Sequence, residues 1–217
     1  MILCSLQAAC ALASGPVAAW PTLEPLLLDA GVWEKYHPHS KMDAVFGIAT
    51  AIQLITALPA GWIYDRYGGR AASLGGALMA AVGLVFMSAA CYFPATFSWL
   101  LFIGYPLAML GGTINSYGIY AFMWLLPDDQ NFISSMVGGA QALSDMLALV
   151  AVGLSSCCSF FIGDFFLALA LLSVLAGLTC WQLVPAHEVV DALAAAAVSA
   201  QAHSSSGEKS NETQYGK

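Results

Sequence analysis

The chain has 217 residues, of which 59% are hydrophobic and 9% charged, and its formal net charge is −7. An ordinary soluble domain carries about 25% charged residues, so this composition excludes a soluble globular fold. Six Lys and Arg residues in all, without a basic run, exclude a nucleic-acid-binding surface.

Several apolar runs of about 20 residues match the roughly 30 Å hydrocarbon core of a lipid bilayer, because an α-helix rises about 1.5 Å per residue. Short stretches with Pro, Gly, Ser or charge separate them, as expected where a chain turns at a membrane surface. We therefore predict an all-α integral membrane protein in which residues 1–185 form six transmembrane helices and residues 186–217 a polar, Ala-rich and then disordered tail. The predicted spans are residues 3–28, 43–64, 71–93, 98–124, 131–156 and 164–185.

Span 1 contains prolines at positions 16, 21 and 25. Each proline removes a backbone donor and leaves an upstream carbonyl without its helical hydrogen bond. Transporters use such unwound backbone near the midplane to bind substrates, whereas other membrane helices contain proline as a packing kink. If span 1 is unwound to bind a substrate, the candidate substrate-binding residues are Ser14, Gly15 and Trp20.

The stretch GWIYDRYGGR, residues 61–70, gathers three charges between two uncharged apolar runs, spans 2 and 3. Antiparallel spans joined by about six residues need a tight turn, and Gly68 and Gly69 permit one because glycine tolerates positive φ. Asp65 ends span 2, where the negative end of the helix dipole repels an anion, so we expect its partner elsewhere. The alternative is an ordinary interfacial turn with snorkelling arginines.

The pattern Gly61-x-x-x-Asp65-Arg66-x-Gly68-x-Arg70 resembles the signature loop between the second and third spans of the major facilitator superfamily of secondary transporters. Members of that superfamily usually carry two successive basic residues after the second glycine, whereas this chain has a glycine and one arginine there. The resemblance implies that the six spans are one half of a twelve-span bundle. It also implies that the loop is a cytosolic latch and that both chain ends are cytosolic, which the positive-inside rule leaves open here.

Two further stretches, GPVAAWPTLEPLLLDAGVW in span 1 and MWLLPDDQNFISSMVGGAQALSD entering span 5, resemble L-type carriers of large neutral amino acids and their protozoan relatives. Asp128 and Asp129 depart from that pattern, because related carriers tend to have basic residues there. The resemblance implies alternating-access transport of a small-molecule substrate, with amino acids as its class, in the plasma membrane. It also implies a second six-helix half or a second copy as a partner. A monocarboxylate-type carrier or a non-transporting membrane scaffold are the alternatives.

Polar groups inside a span are costly unless they pack, pair or meet water, so each is a candidate site residue. Asp145 is the one ionisable residue near the middle of a predicted span, and Gln141 and Ser144 share its polar helix face. It is either a substrate- or proton-coupling group or a protonated carboxyl hydrogen-bonded within the bundle. Asn115 in span 4 has donors and acceptors that suit a zwitterionic substrate or, alternatively, an interhelical hydrogen bond.

Small residues also recur at helical spacing, which predicts close helix packing rather than substrate binding. A stripe of this kind runs along span 3, and shorter pairs occur in spans 2 and 4. The residues are Ala72, Gly76, Ala80 and Gly83 in span 3, Ala57 and Gly61 in span 2, and Gly111 with Asn115 in span 4.

No pattern of catalytic residues is visible. His37 and His39 have no third ligand nearby, so no metal site is predicted. The sequence also lacks a nucleophile–base arrangement and a phosphate-binding loop, so we predict neither an enzyme nor a cofactor. The six cysteines are expected to be small core residues, the alternative being a disulfide from Cys91 to Cys157 or Cys158.

Overall fold

The computed structural model describes residues 19–33, 38–120, 130–157, 161–183, 188–189 and 192. Every regular element in these ranges is helical. Three of the described helical stretches are long and apolar enough to cross a membrane, namely His39–Tyr92, Pro94–Ile119 and Ile162–Leu183. The described part of the chain is thus all-helical and compatible with a membrane protein, whereas the count of six spans stays a prediction.

The helices are numbered in chain order. A helical stretch Pro38–Tyr92 is interrupted at Gly68 and counts as two helices, and a 3₁₀ turn, Ser98–Leu100, links a short helix to the next long one. The bounds are α1 Trp20–Asp29, α2 38–67, α3 69–92, α4 Pro94–Phe97, α5 Leu101–Ile119, α6 Gln130–Cys157 and α7 Ile162–Leu183. Of the predicted tail, only residues 188–189 and 192 lie within the described ranges.

The break at Gly68 reverses the chain. Gly68 has φ 78° and ψ 165°, which residues with a Cβ rarely adopt. Ala60 and Ala72, on either side of the break, share an apolar cluster, and Val45 and Cys91, farther away on each side, share another. Because residues from both sides of Gly68 share the same two clusters, the chain folds back at the break, and α2 and α3 form a helical hairpin. The predicted tight turn is confirmed at Gly68. Gly69, the second glycine predicted to permit it, does not have a positive φ.

Helices α3 and α5 contact each other through their backbones. A Cβ placed on Gly83 would lie 2.5 Å from the carbonyl oxygen of Gly104, and one on Gly76 would lie 2.7 Å from that of Gly111. Real Cβ atoms do not approach carbonyl oxygens this closely, so glycine is required at these positions. We call this contact the glycine seam, and its members are Ser73, Gly76, Ala80, Gly83 and Met87 on α3 opposite Gly118, Asn115, Gly111, Ala108 and Gly104 on α5.

Spacing along the glycine seam alternates between three and four residues on both helices, in opposite chain directions. This alternation is the pattern of a left-handed antiparallel coiled coil. The predicted small-residue face of span 3 is confirmed for Gly76, Ala80 and Gly83. Ala72 lies instead in the cluster with Ala60 and Ile114, and the neighbouring Ser73 occupies the seam position.

The small-residue contact predicted for span 2 is not observed at Gly61. A Cβ on Gly61 would meet no atom within 4 Å, so no other helix backbone approaches it. The small size of Gly61 therefore serves no helix packing among the described residues.

Helix α7 packs against α3 along its length. A Cβ on Gly177 would lie 2.5 Å from the Cβ of Ala77, and Ser173 Oγ donates a hydrogen bond to the Ala77 carbonyl oxygen at 3.1 Å. Nearer the other end, Ser88 Oγ donates to the Gly163 carbonyl oxygen at 2.8 Å. Helix α3 is therefore the central helix, with both α5 and α7 antiparallel to it.

The two ends of α3 carry the features of membrane surfaces. From Arg70 to Tyr92 the helix is about 33 Å long at 1.5 Å per residue, close to the thickness of a hydrocarbon core. Aromatic side chains, which favour the headgroup region, lie at both ends. Exposed aromatic residues at the Gly68 end are Trp62, Tyr67 and Trp181, and those at the Tyr92 end are Tyr92, Phe93, Phe97 and Trp99.

Cys91 and Cys180 are both buried, and Cys91 is a free thiol. The expectation of small core residues is thus confirmed for these two, and a disulfide from Cys91 is not observed. Cys157 lies at the end of α6, and the positions of the other cysteines fall outside the described residues.

Gly76→Ala tests the glycine seam against Gly75→Ala, since a Cβ on Gly75 would meet no atom within 4 Å. We expect Gly76→Ala to destabilise the protein by about 1–3 kcal/mol because the added methyl group forces α3 and α5 apart. Gly75→Ala should be neutral or stabilising by about 0.5–1 kcal/mol, because alanine is the better helix former. Thermal unfolding in detergent measures both. Equal melting temperatures for the two variants would contradict the seam.

Candidate functional site

The structure describes two of the seven predicted substrate-binding side chains. Ser14 and Gly15 lie outside the described residues. Gln141, Ser144 and Asp145 fall in helix α6, but their side chains lie outside the described part of the structure. Trp20 and Asn115 are described, and they occupy different places in the bundle.

Trp20 begins α1 and is 2% exposed. The preceding Ala19 is not helical, with φ −81° and ψ 43°, and Pro21 follows in the first turn. The indole ring lies 4.3 Å from the ring of Tyr105, centroid to centroid, and 6.4 Å from that of Phe46. Helices α1, α2 and α5 therefore meet at this indole. We call Trp20, Phe46 and Tyr105 the aromatic corner.

The Nε1 atom of Trp20 is buried, and no described residue accepts its hydrogen bond. A buried donor without an acceptor costs about 1–3 kcal/mol, and more than about 90% of buried polar groups in proteins are paired. The Trp20 Nε1–H group in the aromatic corner is therefore a buried donor that can bind an acceptor atom.

Trp20 and Tyr105 of the aromatic corner lie inside the bundle, toward the Tyr92 end of α3, whereas Phe46 is 37% exposed at its edge. Tyr105 is six residues after the exposed Trp99, which is about 1.7 turns of helix or about 9 Å along the helical axis. Tyr105 is fully buried, and sequence reasoning did not select it. A lone aromatic residue in an apolar span gives no local signal of its partner, because the indole that it contacts lies far away in the chain.

Asn115 lies in the glycine seam and is 1% exposed. Its Oδ1 accepts a hydrogen bond from Ser73 Oγ at 2.7 Å, so the interhelical hydrogen bond that the sequence offered as an alternative is present. The substrate-binding role of Asn115 stays a prediction. The Asn115 side chain is enclosed between α3 and α5.

Arg70, just after the chain reversal at Gly68, binds to the last turn of helix α7. Its Nε donates a hydrogen bond to the Trp181 carbonyl oxygen, and its guanidinium group lies 4.8 Å from the centroid of the Trp181 ring. The carbonyl groups of a final helical turn have no intrahelical donors and carry negative partial charge, so a cationic donor satisfies them. A cation over an indole ring adds a favourable contact. Arg70 is therefore a cap for α7.

The other signature residues have different environments. Arg66 is exposed and lies over two aromatic rings, with its guanidinium carbon 5.3 Å from the Trp62 centroid and 5.8 Å from the Tyr67 centroid. Asp65 is also exposed. Of the two arginines, therefore, Arg70 joins the turn to a distant helix, whereas Arg66 contacts aromatic residues close to it in sequence.

No group of three or more His, Cys, Asp or Glu side chains among the described residues could hold a metal ion. His39 is exposed, and its Nδ1 lies 3.0 Å from Glu24 Oε1, so it joins the start of α2 to α1. His37 lies outside the described residues.

Comparisons of the chain with models of protein families, with curated proteins and with solved structures find no match. The resemblance to the major facilitator superfamily therefore depends on the quoted residues alone.

Arg70→Lys tests the cap on α7, with Arg66→Lys as the matched control. Lysine keeps the positive charge but lacks Nε and the planar guanidinium group, so it replaces Arg70 poorly. We expect Arg70→Lys to lower stability by about 1 kcal/mol, the combined size of a helix-end and a cation–π contact. Arg66→Lys, in an exposed contact, should lie within about 0.5 kcal/mol of the parent. Thermal unfolding in lipid nanodiscs compares them. A larger loss for Arg66→Lys would contradict the cap.

A double-mutant cycle tests the hydrogen bond between Ser73 and Asn115. We expect Ser73→Ala and Asn115→Ala to be non-additive in thermal unfolding, with a coupling of about 0.6 kcal/mol and at most about 1.7, as for other hydrogen bonds between membrane helices. Ser88→Ala is the control, because Ser88 bonds to Gly163 and should be additive with Asn115→Ala. Additivity in both cycles would contradict the bond.

Proposed function

We propose that this chain is one six-helix half of a carrier of the major facilitator type, for small organic solutes with amino acids as their first class. The observation that carries this proposal is the turn at residues 61–70. A glycine at positive φ stands where the signature loop needs a reversal, and the arginine that ends the motif binds a distant helix of the same bundle. The long apolar helices around the turn are compatible with a membrane.

In such a carrier two helical halves rock around a substrate site near the midplane, so that the site opens to one side of the membrane at a time. The partner of this chain is then a second six-helix half or a second copy. No chemical step occurs and no cofactor is needed. The plasma membrane is the proposed location, with the signature loop and both chain ends in the cytosol.

A non-transporting membrane scaffold is the second candidate. Enclosure of Asn115 between α3 and α5 favours it, because a polar side chain that binds another helix is not needed for a substrate. A monocarboxylate-type carrier would be favoured by a cation in the middle of a span. Among the described residues, Arg66 and Arg70 lie at the turn and Lys41 near the start of α2.

Uptake by liposomes that contain the purified 217-residue chain tests the proposal. We expect saturable uptake of radiolabelled leucine that unlabelled leucine inhibits and lactate does not. If two copies form the carrier, the initial rate should rise more steeply than in proportion to protein density in the membrane. Protein-free liposomes are the control.

A scaffold predicts a different outcome. Leucine uptake would equal that of protein-free liposomes at every protein density, and leucine would leave the melting temperature of the protein unchanged. Those two results together would contradict a carrier made of two copies of this chain. Inhibition by lactate but not by unlabelled leucine would favour the monocarboxylate alternative.

A further inference from the structure

We infer that the indole N–H of Trp20 is the hydrogen-bond donor for an oxygen atom of the carried solute, with Tyr105 as the wall beside it. This inference rests on the proposed function and gives it a recognition contact. The solute class is a compact molecule with an apolar body and an oxygen acceptor, such as a carboxylate or a carbonyl oxygen.

The buried donor is the first observation. Trp20 is 2% exposed, and no described residue accepts a hydrogen bond from its Nε1. Inside a membrane bundle, water does not reach such a group as it does at a protein surface, so its acceptor must come from the protein or from a ligand. A phenylalanine would fill a similar space without presenting an unsatisfied donor. The unsatisfied donor at this position points to a ligand.

The surroundings are the second observation. Tyr105 is fully buried, and its ring lies 4.3 Å from that of Trp20. Phe46, on α2, is the third ring of the corner and lies 6.4 Å from Trp20. Aromatic rings bury apolar groups efficiently and present flat faces against which an apolar side chain packs. The corner thus offers a directional polar contact within an apolar wall, which is the usual composition of a small-molecule site.

The chemistry of indole restricts the solute. Indole Nε1–H donates and cannot accept, so the group that meets it must carry a lone pair. A protonated amine has none, so the ammonium end of a solute is excluded from this contact. For an amino acid, the carboxylate therefore faces Trp20.

The corner also lies where helix geometry changes. Ala19 leaves the helical conformation directly before Trp20, and Pro21 removes a donor from the first turn of α1. The glycine seam, by contrast, fastens α5 to α3. Entry of a solute then requires α1 to move relative to α5 rather than α5 relative to α3.

Competition between two related molecules tests the inference. Leucine carries a carboxylate, and isopentylamine is the same molecule without it. We expect leucine to inhibit radiolabelled leucine uptake at least tenfold more strongly than isopentylamine in the parent protein. Trp20→Phe should raise the inhibition constant of leucine about tenfold and leave that of isopentylamine unchanged. Trp99→Phe makes the same substitution at an exposed site and should change neither.

Two measurements on detergent-solubilised protein need no transport. Leucine should raise the melting temperature of the parent and of Trp99→Phe, but not that of Trp20→Phe. Without ligand, Trp20→Phe should lower the melting temperature only through the packing that the smaller ring loses, because no hydrogen bond is lost. A leucine-induced rise in melting temperature that Trp20→Phe retains in full would overturn the inference.

The outcomes separate the inference from the proposed function. Normal uptake by the parent with unchanged leucine inhibition in Trp20→Phe overturns the inference and leaves the carrier. Absent uptake, with a leucine-induced shift that Trp20→Phe loses, leaves the binding contact and overturns transport. Absent uptake and absent shift overturn both.

Discussion

The contact between the α3 and α5 backbones is the constraint on which the bundle depends. Lipid tails are as apolar as leucine side chains, so the hydrophobic effect does little to hold two membrane helices together. Attraction must come from many close contacts, and the glycine seam supplies them by removing the Cβ atoms that would hold the axes apart. Once α5 is placed on α3, the hairpin at Gly68 places α2, and a different face of α3 packs against α7.

Hydrogen bonds fix the register of these contacts. Small residues alone permit sliding, because one glycine face resembles the next after a turn of helix. Ser73 bonds to Asn115 across the seam, and Ser88 bonds to the Gly163 carbonyl oxygen on the other face of α3. Arg70 adds a cap at the Gly68 end, so α3, α5 and α7 form a rigid frame.

Much of this frame follows from sequence, and the part that does not is non-local. Glycines at helical spacing predict a packing face for Gly76 and Gly83, because only small side chains permit close approach. Periodicity cannot separate Ala72 from Ser73, since the two residues lie about 100° apart, on either side of the centre of the same helix face. The contacts of Arg70 with Trp181 and of Trp20 with Tyr105 depend on how distant helices dock, which no local pattern encodes.

The aromatic corner has a different kind of contact from the frame, and the difference bears on mechanism. Helix α1 meets α5 there through the side-chain rings of Trp20 and Tyr105, whereas α3 and α5 meet through backbone atoms, as at Gly83. A ligand shifts a conformational equilibrium only by its difference in affinity between the two states. On the proposal made above, a solute oxygen bound to the Trp20 indole would contribute most in the state that brings α1 against α5. A solute without that oxygen lacks this preference and, on this reasoning, would occupy the corner without driving the movement of α1.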